Sequence, residues 1–495
     1  MDISLERRGL SRYREVFRDT SHCELSADCV IPDTQGDILR IIKCEASAKL
    51  KSKDVSSDSV TIGGELSGEI LYVPEAGEGV SILNFSIPFE NETHLRDENV
   101  CQSCIAELSV VAADVRVLNP RKVSVRAEVQ IRLRCYDAEE LSYCASVNDK
   151  PDKLFCKSRT EPLLYPSFVG EKQLSLDEEV PCDAGSPAAV LLSGSSSYYA
   201  DGIERVGSKL ILKGHADISA IALDGEGNII TLRSSTPFSQ LFEMSGEADL
   251  PYWDAVIVPT AEYYSLENGN VNADLHAVIQ LTCYAEANIE FIEDAYFCGR
   301  MLQLEHEELE LCRSVSTLKL TSSEVLEYDA GGSPVSVVLA ESRLGKIKKL
   351  TDGGISIPVS SEAVYTNSDG ELCCGKARGC LEFELPSDCG HSMPNTVEVT
   401  ETTTQINGSS IEIKVTAVLT LECTETVRIS AISGMSADDT QCVSSRPSLY
   451  LCRCRDRDLW TLAKAYGSSE DAIISANKLT DGNVLPDAVL LIPKI

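Results

Sequence analysis

The sequence predicts a mainly β protein: three tandem β-sandwich or barrel-like repeats followed by a small α+β unit of β-α-α-β order. Three observations predict it. An apolar alternation of seven positions occurs three times, each copy follows a turn-forming dipeptide, and the residues from Leu449 onward change from period-two to helical spacing. The alternating runs are Val123, Val125, Ala127, Val129, Ile131, Leu133, Cys135; then Val271, Ala273, Leu275, Ala277, Ile279, Leu281, Cys283; then Ile411, Ile413, Val415, Ala417, Leu419, Leu421, Cys423. Period two marks a strand with one apolar and one wet face. A sheet of such strands needs a second layer to cover its apolar side.

Each run starts just after a turn: Asn119-Pro120, Asn268-Gly269 and Asn407-Gly408. Asn-Gly accepts the positive φ angles of a type I′ hairpin, so each repeat is expected to end in a long hairpin. The earlier half of the repeat recurs too. Ser59 to Phe89 aligns without gaps on Ser208 to Phe238, sharing Leu83/Leu232, Ser86/Ser235 and Pro88-Phe89/Pro237-Phe238. A third copy near Gly354 to Pro386 shares Tyr72/Tyr365. The expected division is an N-terminal segment 1–20, repeats at 21–145, 165–297 and 298–435, a linker 436–448 and a final unit 449–495. Leu10, Tyr13 and Phe17 have the spacing of a short amphipathic helix in the first segment.

The chain has 495 residues, with 44 Lys and Arg against 77 Asp and Glu, for a net charge of −33. That field repels phosphate backbones and anionic lipid, so neither nucleic acid nor direct membrane insertion is expected. The opening Met1-Asp2-Ile3-Ser4-Leu5-Glu6-Arg7-Arg8 has no apolar signal core, and Pro187 interrupts the longest uncharged stretch. A cytoplasmic protein is the expectation. No phosphate-binding loop is present, and His306-Glu307-Glu308-Leu309-Glu310 lacks the second histidine of a zinc protease. No catalytic residue, cofactor or metal is assigned.

Of the 20 cysteines, Cys135, Cys283 and Cys423 continue the inward faces and read as core. Cys101-Gln102-Ser103-Cys104 has the spacing of a zinc or redox pair, without a second pair at finger-like distance. Cys373, Cys374, Cys380, Cys389 and His391 are the denser soft-ligand cluster, and Cys452 and Cys454 share a strand face.

In the C-terminal unit, Trp460, Leu462, Ala463, Tyr466, Ile473, Ile474 and Asn477 are helically spaced around Gly467-Ser468-Ser469, with short strands expected at Leu449 to Arg453 and Ala488 to Pro493. The unit is expected to be independent of the repeats. Leu459-Trp460-Thr461-Leu462-Ala463-Lys464-Ala465-Tyr466-Gly467, Ile473-Ile474, Ala476-Asn477 and Leu490-Leu491-Ile492-Pro493 resemble a LysM domain. The resemblance implies binding of N-acetylglucosamine glycans or of a protein at two loops. Here those loops hold Asp456, Arg457 and Asp458, and Leu485, Pro486 and Asp487. Together with Leu459, Trp460 and Asn477 these are the candidate binding residues, Trp460 being expected mainly to anchor the fold. Asp456 and Asp487 stand where LysM domains carry glycine, which favours a protein over a sugar because glycine lets a ligand approach the backbone.

The repeats resemble the SPOCS domain of SipL-type spore morphogenetic proteins. The residues are Ile31-Pro32-Asp33-Thr34 with Asp37-Ile38, Leu71-Tyr72-Val73-Pro74, and Leu118-Asn119-Pro120-Arg121-Lys122. The resemblance implies a non-enzymatic scaffold of the mother cell, placed at the forespore surface in the spore coat. Its implied partner is the coat's basement-layer ATPase or another coat protein, with peptidoglycan as the alternative.

Overall fold

The computed structural model describes residues 2–56, 58–75, 79–95, 101–182, 187–244, 249–351, 353–386, 391–438, 448–453, 458–479 and 488–495. The first six strands are β1 (Leu5–Val30), β2 (Ile38–Val55), β3 (Ser59–Pro74), β4 (Ser81–His94), β5 (Ser103–Asn119) and β6 (Lys122–Val147). They form two antiparallel three-stranded sheets, β1-β6-β5 and β2-β3-β4. The next six are β7 (Leu154–Val180), β8 (Ala188–Val206), β9 (Lys209–Asp224), β10 (Ile229–Glu243), β11 (Tyr252–Glu267) and β12 (Asn270–Phe297), paired as β11-β12-β7 and β10-β9-β8. The same plan returns in β13 (Leu302–Asp329), β14 (Pro334–Leu344), β15 (Lys348–Lys349), β16 (Ile355–Asn367), β17 (Leu372–Phe383), β18 (His391–Asn407) and β19 (Ser410–Ala437). There the outer sheet is β13-β19-β18, while β14 and the two-residue β15 pair in succession with β16, and β17 pairs with its other side. The fold is mainly β, as the alternation requires.

The alternating runs are the central strands β6, β12 and β19, and Val129, Ala277 and Ala417 are 0%, 1% and 0% exposed. In each unit their apolar face packs on the inner sheet, as Val125, Val129 and Ile131 do on Ile62, Leu66 and Ile70. Asn268 and Gly269 both have positive φ, 54° and 84°, as a type I′ turn needs. At the third hairpin β18 runs through Asn407, so Gly408 (φ 63°) opens the turn.

Several expectations are corrected. Residues 5–20 are not helical but the start of β1, and β7 begins at Leu154, ahead of the expected limit of 165. Leu10, Tyr13 and Phe17 mimic helical spacing because the strand passes three separate apolar clusters and carries a bulge between Glu15 and Phe17. The gapless alignment of Ser59 to Phe89 on Ser208 to Phe238 slips by one residue in its first strand. Gly64 lies opposite Phe89 and Gly214 opposite Phe238, so β3 and β9 match at a different offset from β4 and β10. The turns between them absorb the difference; one residue of slip exchanges the faces of a strand.

The wet faces of the central strands are partly covered by neighbouring units. Gln280 is 1% exposed; its amide donates to the Ala106 carbonyl (2.7 Å) and its oxygen accepts from the Ala106 N–H (2.9 Å), joining the second unit to the first. Arg132 donates to the Asn395 carbonyl of the third unit, and Arg134 pairs with Asp254 of the second. The far ends of the long hairpins share one core, in which Leu141, Ile289 and Ile429 each follow the central-strand cysteine by six residues. The residues opposite them are Leu10, Glu161 and Leu309. Glu161, buried where the others are leucine, meets Arg313 of the third unit at 2.7 Å. The Ile3 N–H donates to the Met435 carbonyl at 3.0 Å, so β1's approach is tied to the end of β19.

Candidate interaction surface of the C-terminal unit

The last unit is built from β20 (Leu449–Arg453), α1 (Leu459–Tyr466), α2 (Glu470–Asn477) and β21 (Val489–Pro493), with β20 and β21 antiparallel. Each helix starts on a side-chain cap: the Asp458 carboxylate accepts from the Thr461 N–H (2.9 Å) and the Ser469 hydroxyl from the Ala472 N–H (3.1 Å). Gly467, with φ 68°, ends α1 in the left-handed region. Leu462, Ala463, Ile473 and Ile492 are fully buried between helices and ribbon.

Asn477 belongs to this framework. Its amide donates to the carbonyls of Ile473 (2.8 Å) and Leu491 (2.6 Å), and its oxygen accepts from the Leu491 N–H (2.7 Å), which clips α2 to β21. Its polar atoms are thus engaged internally. Asp456, Arg457, Leu485, Pro486 and Asp487 lie outside the described residues, as do Cys454 and Cys389 and the side chain of His391.

The unit does not stand apart from the β body, as the sequence suggested, but packs on the end of the second unit. The Trp460 indole N–H donates to the Asp294 carboxylate at 2.8 Å, and Lys464 donates to the same carboxylate at 2.6 and 2.9 Å. Tyr296 meets the Trp460 ring edge-on at 4.9 Å, stacks on Phe155 at 5.2 Å, and its hydroxyl donates to the Ser468 carbonyl at 2.8 Å. Leu459 and Trp460 are each 8% exposed in this arrangement. Burial works to raise the Asp294 carboxyl, but the Lys464 ammonium and Trp460 indole outweigh it and hold it below the ordinary carboxylate range. Burial pushes the Tyr296 phenol up. Asp458 is held low chiefly by its hydrogen bond to Thr461, with Lys157 of β7 at 3.9 Å adding to the effect.

Sequence reasoning missed Asp294, Tyr296 and Phe155. The signal available was the run Asp294-Ala295-Tyr296-Phe297, an acidic residue and two aromatics at the expected end of the second repeat. Among the described residues of the C-terminal unit, the outer face of its ribbon is exposed and apolar, with Leu449, Leu451 and Val489 at 51%, 74% and 57%.

Elsewhere, a hollow of about 870 Å³ lies between the units. Of its four arginines, Arg12 and Arg14 are ion-paired with Glu139 at 2.6 and 2.9 Å, Arg18 with Glu15 and Glu422 at 2.6 and 3.1 Å, and Arg7 donates to the Ser433 carbonyl at 2.8 Å. His276 stays on an exposed strand face beside Asp274 and Ser175. Among the described residues no group of three or more His, Cys, Asp or Glu is arranged to hold a metal ion.

Three two-sheet β units carrying a small helical module define a multi-unit β protein with an appended recognition module. A family model described as SipL, SPOCS domain matches residues 37–118, which run from the edge of β2 to the end of β5. The LysM domain model matches residues 458–493, from the α1 cap to the end of β21. No curated protein and no solved structure matches the chain. The chain is therefore SipL-like, with a SPOCS domain and a C-terminal LysM domain. The SPOCS match suggests a sporulation protein and the LysM match suggests peptidoglycan binding; both are non-catalytic families. Among the described residues no helix is long and apolar enough to cross a membrane.

Proposed function

We propose that the chain is a non-enzymatic scaffold of endospore coat assembly, working in the mother cell at the forespore surface, and that its LysM unit docks a spore coat morphogenetic ATPase. The observation that carries this reading is the apolar strip Leu449, Leu451 and Val489 on the outer face of the β20–β21 ribbon. An exposed apolar strip of this kind suits a protein partner. Among the described residues neither ribbon strand pairs with a third; Asn477 takes the β21 edge at Leu491, and the β20 edge offers backbone groups to an added strand. The acidic β units serve as the body on which the module is held.

The test is capture of the purified ATPase by the full chain and by Leu451→Glu/Val489→Glu. The double variant should lose at least tenfold in affinity with its melting temperature unchanged. Capture at wild-type strength by a folded variant would remove the ribbon from the interface. Arg457→Glu probes the first loop separately. Asp458 is unsuited to that purpose, because it caps α1 and its reversal also costs about 1 kcal/mol of stability.

The second reading, peptidoglycan binding, is favoured by the LysM match and opposed by Asp456 and Asp487 at positions where glycine is expected. Sedimentation with purified peptidoglycan decides it.

A further inference from the structure

We infer that Cys104 and Cys135 form an oxidisable thiol pair, a modification site at which a peroxide makes a disulfide across β5 and β6. Cys101, Cys104 and Cys135 converge in the first unit, 6%, 5% and 0% exposed. Cys104 and Cys135 are directly opposed in the antiparallel register, with their sulfurs 3.7 Å apart. Opposed residues in antiparallel strands have Cα separations of about 4.5–5.5 Å, inside the range of about 4.4–6.8 Å that disulfides span. Closing the bond therefore asks for side-chain rotation and no movement of strands.

The pair is peculiar to the first unit. The residues facing the equivalent Cys283 and Cys423 are Trp253 and Ser392. Cys104 also lines a hollow of about 260 Å³ between the first and second units, with Lys53, Gln102, Gly170 and Glu171. Hydrogen peroxide is little larger than water and fits such a space. The Lys53 ammonium donates to the Cys104 carbonyl at 2.6 Å and pairs with Glu171, both side chains lining that hollow. Cys101 is a third thiol on the same centre: a hydrogen bond from Cys135 holds it below the ordinary range, against the effect of burial.

The chemistry closes without further reagents. The Cys104 thiolate attacks one peroxide oxygen, an S–O bond forms as the O–O bond breaks, and the departing hydroxide takes a proton to become water. The Cys135 sulfur then attacks the sulfenic sulfur; an S–S bond forms, the S–O bond breaks, and hydroxide leaves with the Cys135 proton as a second water. Two thiols lose two electrons and one peroxide is reduced.

The experiment treats the reduced full-length protein with hydrogen peroxide, alkylates it under denaturing conditions, and maps linked peptides by mass spectrometry. The expected result is a Cys104–Cys135 linked peptide, loss of two alkylatable thiols, and a rise of several degrees in melting temperature that dithiothreitol reverses. Cys135→Ser should abolish the link and leave Cys104 as a sulfenic acid trapped by dimedone, whereas Cys283→Ser should leave the link intact. The inference is overturned if all thiols stay alkylatable after peroxide, if the first linked peptide joins other cysteines, or if the purified protein holds stoichiometric zinc on this trio. The wild-type peptide map stands even where a serine variant fails to fold.

Discussion

Replacing Asp294 by alanine should loosen the LysM unit from the second β unit. The Trp460 indole N–H, 2.8 Å from the carboxylate on a residue 8% exposed, loses its acceptor; a buried donor left unpaired costs about 1–3 kcal/mol. The Lys464 partner is 43% exposed and its pair adds only about 0–1 kcal/mol after solvent screening. Together they give about 1–4 kcal/mol, roughly a 5- to 700-fold fall in the docking constant at about 1.4 kcal/mol per factor of ten. Asp294→Asn keeps an acceptor for the indole and should lose only about 1 kcal/mol. The chain has two tryptophans, so a Trp253→Phe background leaves Trp460 as sole reporter. Emission should shift to the red and acrylamide quenching should increase in the order wild type, Asn, Ala. Because Asp294 is held low, its contribution is complete above the ordinary carboxylate range and is lost only as pH falls through its depressed value. Wild-type emission should then be flat from pH 8 to 5. Identical emission and quenching in the folded alanine variant would mean that the second unit does not cover Trp460.

Glu69 provides a titration of opposite sign. Burial, with Glu45 and Glu262 nearby, pushes it from 4.5 to about 7, against the pull of Lys49 and Lys43. A raised carboxyl contributes stability that is complete below the unfolded value and is lost as pH rises through the folded one. That difference is worth about 3 kcal/mol, so denaturant midpoints should fall between pH 5 and 8 in the wild type and much less in Glu69→Gln. Ile131→Asp places an unpaired carboxylate at a fully buried site and should cost about 4 kcal/mol or more, while Arg126→Asp on the exposed face should stay within about 0.5 kcal/mol; equal melting of the two would refute the strand register. Gly68→Ala would drive a Cβ into the Glu45 carbonyl of the paired strand and should cost about 2–3 kcal/mol, read as a lowered unfolding midpoint with unchanged slope.

The strands were legible because burial on one face imposes a period that no other structure reproduces. Val129, Ala277 and Ala417 could be placed from sequence alone, since a strand with a covered side must alternate. What failed was of another kind. Leu10, Tyr13 and Phe17 belong to a strand whose bulge and length carry it past three clusters, and a bulge inserts the one residue that turns period two into something helix-like. The LysM fold was readable from its own helices and caps. Its seat on Asp294 and Tyr296 was not, because a contact between residues 166 apart leaves no local period in either segment.

The wet faces show why the relation between units was hidden. Polar residues on alternate positions were expected to meet solvent, yet Gln280 satisfies both backbone groups of Ala106 in the neighbouring unit, and Arg134 and Asp254 pair across the same boundary. Hydrogen-bonding groups that meet a partner's polar atoms look the same in sequence as groups that meet water. These contacts govern how the chain can be dissected. Contacts run from the second unit to the first through Gln280, from the first to the third through Arg132, and between the third and second through Arg313 and Glu161. Each unit is therefore held by both others, and removing one strands polar groups on the remaining two. Deleting residues 302–437 would take Arg313 from Glu161, leaving it Arg159, and uncover the apolar cluster around Phe291, so its effect on partner capture would report a damaged body rather than a lost binding site. Point changes on exposed faces, not truncations, are the perturbations that this architecture allows to be read.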